Sequence, residues 1–169
     1  MIRKVLIIVG LVAVISYLAG IISVRAETYN YCGVEKILIE KSKKKMTLLD
    51  CKGDVVETYT VRTGLNKGPK QCEGDKKTPE GIYKIKDKRD SKYVRFLEID
   101  YPRAKDIKRA KELGCNPGNA VGIHYYNKEY TNDPSTLEGS LGCITVWNKS
   151  EIREIDSLVS IGTEVEILP

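Results

Sequence analysis

The sequence predicts a mainly β domain with two short helices, preceded by an N-terminal hydrophobic leader or anchor helix. Three observations carry this. Short apolar runs, several of them alternating, are separated by turns rich in Gly, Pro and Lys. Two other stretches, 103–113 and 149–159, carry helix start and stop signals. Residues 5–22 contain no charged side chain and are about as long as a membrane span requires.

Taken in order, Arg3 and Lys4 form a positive n-region before that apolar run. Val24 and Ala26 then stand at the small-residue positions that a signal peptidase reads, ahead of Glu27. Residues 1–26 therefore read as a cleaved signal peptide or as a retained anchor with its N-terminus in the cytoplasm. Either places residues 27–169 outside the cytoplasm, periplasmic or otherwise extracytoplasmic, and their length suits one domain.

"EKILIE" (35–40) and "KMTLLD" (45–50) flank a lysine-rich turn and predict a β-hairpin. Lys41, Lys43, Lys44 and Lys45 read as the solvated tip of that hairpin rather than as a basic patch. "DVVETYTVRTG" (54–64) predicts a third strand ended by Gly64, and "LNKGPKQCEGDKKTPEG" (65–81) a loop. Thr78-Pro79-Glu80-Gly81 closes that loop in a β-turn pattern. "IYKIK" and "VRFLEID" predict two further strands. Pro102 opens a helix over 103–113 that Gly114 stops. "AVGIHYY" (120–126) predicts an apolar strand, followed by the loop "NKEYTNDPSTLEG". Asn148 and Glu151 make an N-x-x-E capping pattern, and Ile152, Ile155 and Leu158 or Val159 recur at helical spacing. Gly162 breaks the chain before the closing strand "TEVEIL".

Composition excludes several functions. The leader holds three of the 28 basic side chains and none of the 23 acidic ones, leaving a net charge of +2. That is too little to argue for a nucleic-acid partner. The chain has a single histidine and no cysteine pair at zinc spacing, so no metal site is expected. Nothing resembles a nucleotide-binding loop, and no cofactor is implied.

All five cysteines, Cys32, Cys51, Cys72, Cys115 and Cys143, follow the leader. An oxidising compartment favours disulfides, and an odd number leaves at least one thiol unpaired within the chain. Antiparallel pairing of the first two strands brings Cys32 and Cys51 together at the open end of the hairpin. Cys72 and Cys115 then remain to pair between loops, although four cysteines allow three pairings. This choice leaves Cys143 as the odd thiol.

A free thiol, with a pKa of about 8.5, is a weak nucleophile near neutral pH. Lowering that value by roughly two units takes about 2.7 kcal/mol of preferential stabilisation of the thiolate, within reach of one close imidazole. If an imidazole of the same chain activates Cys143, it is His124. Gly142 lets backbone approach a substrate without a side chain in the way, and N–H groups near Gly142 and Cys143 can serve an oxyanion. Ser140 adds a hydroxyl able to orient a neighbour. The competing readings are Cys143 as a small buried hydrophobe and His124 as a satisfied core residue.

"GDKKTPEGIYKI", "GIHYY" and "GSLGCI", in that order and followed by a helix and a last strand, resemble the L,D-transpeptidase (YkuD-like) catalytic domain over about residues 35–168. The family pattern is a histidine, a spacer, then Ser/Thr-His-Gly-Cys, which His124 and Ser140-Leu141-Gly142-Cys143 match in order. The resemblance implies a β-sandwich, Cys143 as acyl-forming nucleophile and His124 as its base. It implies an oxyanion or substrate site near Gly142, Ser140 and Tyr125. It also implies peptidoglycan stem peptides as substrates, in cell-wall cross-linking or remodelling through a thioester acyl-enzyme. Water as acceptor would make the protein a hydrolase of the same fold; loss of activity would make it a silent cell-wall peptide-binding domain. Three positions depart from the pattern. Leu141 replaces a second histidine, Thr145 stands where Arg or Asn is common, and Tyr125 follows the base in place of Gly. Trp147 reads as a packing anchor, with stacking on a sugar as the alternative, and Tyr125, Tyr126 and Tyr130 as a cluster able to line a groove.

Overall fold

The computed structural model describes residues 32–127 and 138–169. The leader, residues 5–22, and Tyr130 lie outside the described residues. No helix among the described residues is long and apolar enough to cross a membrane.

The expected hairpin is β1 (Val34–Glu40) and β2 (Lys45–Asp50), paired antiparallel from Glu40↔Lys45 to Val34↔Asp50. Val34, Ile37 and Ile39 of β1 and Met46 and Leu48 of β2 are buried. Each such side chain contributes roughly 1.5–3 kcal/mol relative to exposure. β3 (Val55–Thr60) pairs antiparallel with β2. The open end of the hairpin is joined by a Cys32–Cys51 disulfide (Cα–Cα 5.8 Å), and a second bridge links Cys72 to Cys115. Cys143 is the free thiol.

The next hairpin is longer than the sequence predicts. β4 (Gly81–Ser91) and β5 (Val94–Ile99) are joined by Lys92 and Tyr93 alone, with Val94 at φ 73°. No Gly or Asn marks this turn, so period-2 patterning alone ends too early. α1 (Ala104–Glu112) follows. The Asp106 carboxylate accepts the Arg103 N–H (3.0 Å), the Arg109 guanidinium (2.8 Å) and the buried Tyr83 hydroxyl (3.2 Å), which ties the helix to β4. β6 (Gly122–Tyr125) and β7 (Ile144–Val146) lead into α2 (Lys149–Leu158). Glu151 accepts the N–H groups of Asn148 (2.9 Å) and Trp147 (3.0 Å), so the capping pattern forms where it was expected. Ile152 and Ile155 face the core. β8 (Val159–Leu168) begins without a break after α2. Gly162 (φ 95°) lies inside it at a large bulge, where β1 advances from Val34 to Lys36 while β8 advances from Val159 to Glu164.

Two separate stacked sheets, the expected sandwich, are not what forms. The eight strands make one sheet in the order β3-β2-β1-β8-β4-β5-β6-β7. The reason is the length of β4: Gly81–Lys84 pair with β8, and Ile85–Ser91, with a bulge between Ile85 and Asp87, pair with β5. The sheet also curls until its ends nearly meet. Past β3, Arg62 bridges Thr145 and Gly64 bridges Ser140, giving a nearly closed barrel around one core.

Candidate active site

The parallel pair β6–β7 sets the site. Its register is Ile123↔Ile144 and His124↔Thr145. Side chains alternate along a strand, so Gly122 and His124 share a face with Cys143 and Thr145. A one-strand, two-residue offset places the Cα atoms of His124 and Cys143 about 8 Å apart, within side-chain reach of each other. Both line a cavity of about 640 Å³, with Ser140, Gly142 and Thr145. Gly122 lets β6 pack close against β5: a Cβ there would lie 2.5 Å from the Leu97 carbonyl oxygen.

His124 is buried between aromatic rings, with Tyr93 at 4.3 Å and Phe96 at 5.6 Å. Its Nδ1 lies 2.8 Å from the Tyr125 carbonyl oxygen. A carbonyl only accepts, so Nδ1 carries the proton and Nε2 is left as the basic nitrogen. Burial pushes the imidazole pKa down to about 4; the Tyr125 carbonyl opposes this shift and the Arg62 charge adds to it. His124 is therefore neutral at pH 7.

The Cys143 thiol is half-buried and donates to the Ala120 carbonyl (3.7 Å). Burial pushes its pKa up; the Gly122 backbone and the Lys70 charge pull it down, and Glu98 raises it. The resting pair is thus a thiol beside a neutral imidazole, not a preformed ion pair. It suits proton transfer at the moment of attack.

The loop before Cys143 is held from two sides. Gly142 has φ 136°, and a Cβ there would meet the Lys77 carbonyl oxygen at 2.9 Å, so only glycine fits. Thr78 Oγ1 donates to the Gly142 carbonyl (2.9 Å) and accepts the Gly64 N–H (2.7 Å). Ser140 Oγ accepts the Gly142 N–H (3.0 Å) and donates to the Cys143 carbonyl. Ser140 orients this loop, as its hydroxyl suggested, and the Gly142 N–H donates to it. The Tyr125 ring does not line the cavity; it packs against the core beneath Lys149 (5.8 Å), because strand alternation turns it away from His124. Its carbonyl is the functional part.

Arg62 was not anticipated. It is 3% exposed, donates to the Gly139 carbonyl (2.7 Å), and places its guanidinium 3.7 Å from the Tyr126 ring and 4.8 Å from the Trp147 ring. It also lines the cavity and pairs across the strands with Thr145. A cation therefore stands beside the position where the family often carries one, delivered from another strand. Only the closing of the sheet reveals this. Lys70, from the polar loop, lines the same cavity.

Comparison with known proteins gives a consistent picture. Residues 35–167 match the model of the L,D-transpeptidase catalytic domain. No curated protein matches the chain. Among solved structures, the helical cell shape determining protein Pgp2 from Campylobacter jejuni superposes with TM-score 0.62 at 23% identity, over 82% of this chain and 49% of that one. Bd1075 from Bdellovibrio bacteriovorus gives 0.58 at 23%, over 84% and 50%. The Enterococcus faecium L,D-transpeptidase gives 0.53 at 18%, over 81% and 50%. The chain thus spans about half the length of these structures. Matched over most of its length, and with the histidine and cysteine of the motif on one face of adjacent strands, the chain belongs to the L,D-transpeptidase catalytic domain family.

Proposed function

We propose that the protein is a cysteine-dependent L,D-transpeptidase acting on peptidoglycan stem peptides. The observation that carries this reading is the shared face of His124 and Cys143, with the imidazole tautomer fixed by the Tyr125 carbonyl. Cys143 Sγ attacks the carbonyl that joins an L-centre to a terminal D-residue, and its proton passes to His124 Nε2. The carbon–nitrogen bond breaks, and the imidazolium returns the proton to the departing amine. The thioester is then resolved by an amine of a second stem, with thiol and imidazole regenerated. The apolar leader and the two disulfides support an extracytoplasmic, cell-wall location.

A tetrapeptide stem tests the proposal. The protein should release the terminal D-amino acid, and with an acceptor amine present it should form a cross-linked product. Release that persists without any cross-linked product would make water the acceptor. No release, from a folded protein with a free Cys143, would contradict the enzyme reading.

A further inference from the structure

Lys70 is 5% exposed, yet it belongs to a loop whose composition reads as solvated. Burying an ammonium costs several kcal/mol unless it is paired and hydrogen-bonded. Here Nζ donates to the Cys72 carbonyl (3.0 Å) and to Asp75 Oδ1 (3.0 Å). Asp75 divides its charge among other donors: the Gln71, Cys72 and Lys77 N–H groups reach it at 2.7, 3.0 and 3.0 Å. The Asp75 carboxylate therefore offsets the ammonium only in part. An ammonium has three N–H groups, and two have partners among the described residues.

The position of this ammonium is built from outside. Arg109 holds the Lys70 carbonyl (2.9 Å), Glu73 N–H donates to the Asn116 carbonyl (2.7 Å), and the Cys72–Cys115 disulfide ties the same loop to the segment after α1. Lys70 thereby lines the cavity that holds Cys143 and His124. Arg62, Arg89 and Lys92 line it too, against Glu73 as the single acidic lining residue among the described residues. Arg89 is already paired with Asp87 and Glu98. The Lys70 charge is felt at the Cys143 thiol, opposing the effect of burial.

We propose that Lys70 is a specificity-determining residue whose ammonium takes a carboxylate of the acyl donor, the one on the D-residue that leaves. The identity of that carboxylate rests on the reading given under Proposed function; the anion site itself does not. A terminal D-residue carries its carboxylate close to the scissile bond, and the cavity offers a fixed cation near the attacking sulfur. The recognition would favour a free C-terminus over an amide.

Alkylation of Cys143 tests this without any peptidoglycan, because the other four cysteines are in disulfides. Sulfur displaces iodide from neutral iodoacetamide or anionic iodoacetate, and the thiol proton leaves to His124 or solvent. Lys70→Met should lower the iodoacetate-to-iodoacetamide rate ratio about tenfold, the effect of one modest charge contact, and Lys70→Arg should recover most of it. An unchanged ratio in Lys70→Met, or equal slowing with both reagents, would overturn the proposal. In the unmutated protein, N-acetyl-D-alanine should protect Cys143 from iodoacetamide better than its C-terminal amide does. Equal protection would also overturn it, whether or not Lys70→Met folds. Carboxylate-selective protection in a protein that releases no D-residue from a stem would uphold the anion site and overturn the stem-peptide reading.

Discussion

His124 owes its protonation state to four neighbours. The aromatic rings of Tyr93 and Phe96 exclude water, the Tyr125 carbonyl fixes the tautomer, and Arg62 adds a like charge. The result is a pKa of about 4, below the ordinary value of 6.5. Between these values the unfolded chain binds a proton that the folded one refuses, so stability falls as pH drops from 6.5 toward 4. The loss attributable to this group reaches about 3 kcal/mol by pH 4. Denaturant unfolding at pH 7 and pH 4 should show that loss, and His124→Phe, which keeps the ring packing, should lose less by about that amount. Equal acid sensitivity in both proteins would contradict the neutral imidazole. Cys143 and His124 were legible in the sequence because the chain has one histidine and the motif order constrained the rest. Arg62 and Lys70 were not, since a lysine or arginine in a polar stretch reads as solvated until tertiary structure closes over it.

Among the elements, the loop between β3 and β4 carries the most function. Its TPEG end does more than turn the chain: Thr78 joins Gly64 to Gly142 and so connects β3's extension to the nucleophile loop. Thr78→Val removes a donor and an acceptor while keeping shape. It should cost about 1–3 kcal/mol of stability, and acylation of Cys143 should slow by more than that loss of folded protein explains. Acylation at the unmutated rate per folded molecule would make Thr78 purely structural. The two disulfides should separate in the same way. Cys32→Ser/Cys51→Ser loosens the end of a hairpin and should lower stability by roughly 2–4 kcal/mol with little change at Cys143. Cys72→Ser/Cys115→Ser frees the loop that holds Lys70, and its iodoacetate preference should fall as well. Both pairings were legible once β1 and β2 were placed. The two-residue β4–β5 turn was not, because it carries no glycine or asparagine, and the bulged β8 was not, because Gly162 reads as a break between elements rather than as a bulge inside one strand.

Over the whole molecule, closure of the sheet decides what the site contains. The sequence shows the strands only as local runs and the family resemblance implied a sandwich of layers, whereas the length of β4 and the Arg62↔Thr145 bridge draw eight strands into one curled sheet. Long-range pairings of that kind leave no periodic trace. The β6–β7 register, set by this closure, is what brings imidazole and thiol to one face. Intact-mass analysis of the protein incubated with a carbapenem tests that pairing most directly. The account predicts one adduct, located at Cys143, absent in Cys143→Ala and formed at least about 100-fold more slowly in His124→Ala, the scale of lost general-base catalysis. A folded protein that stays unmodified, or a His124→Ala variant acylated at the unmutated rate, would contradict it.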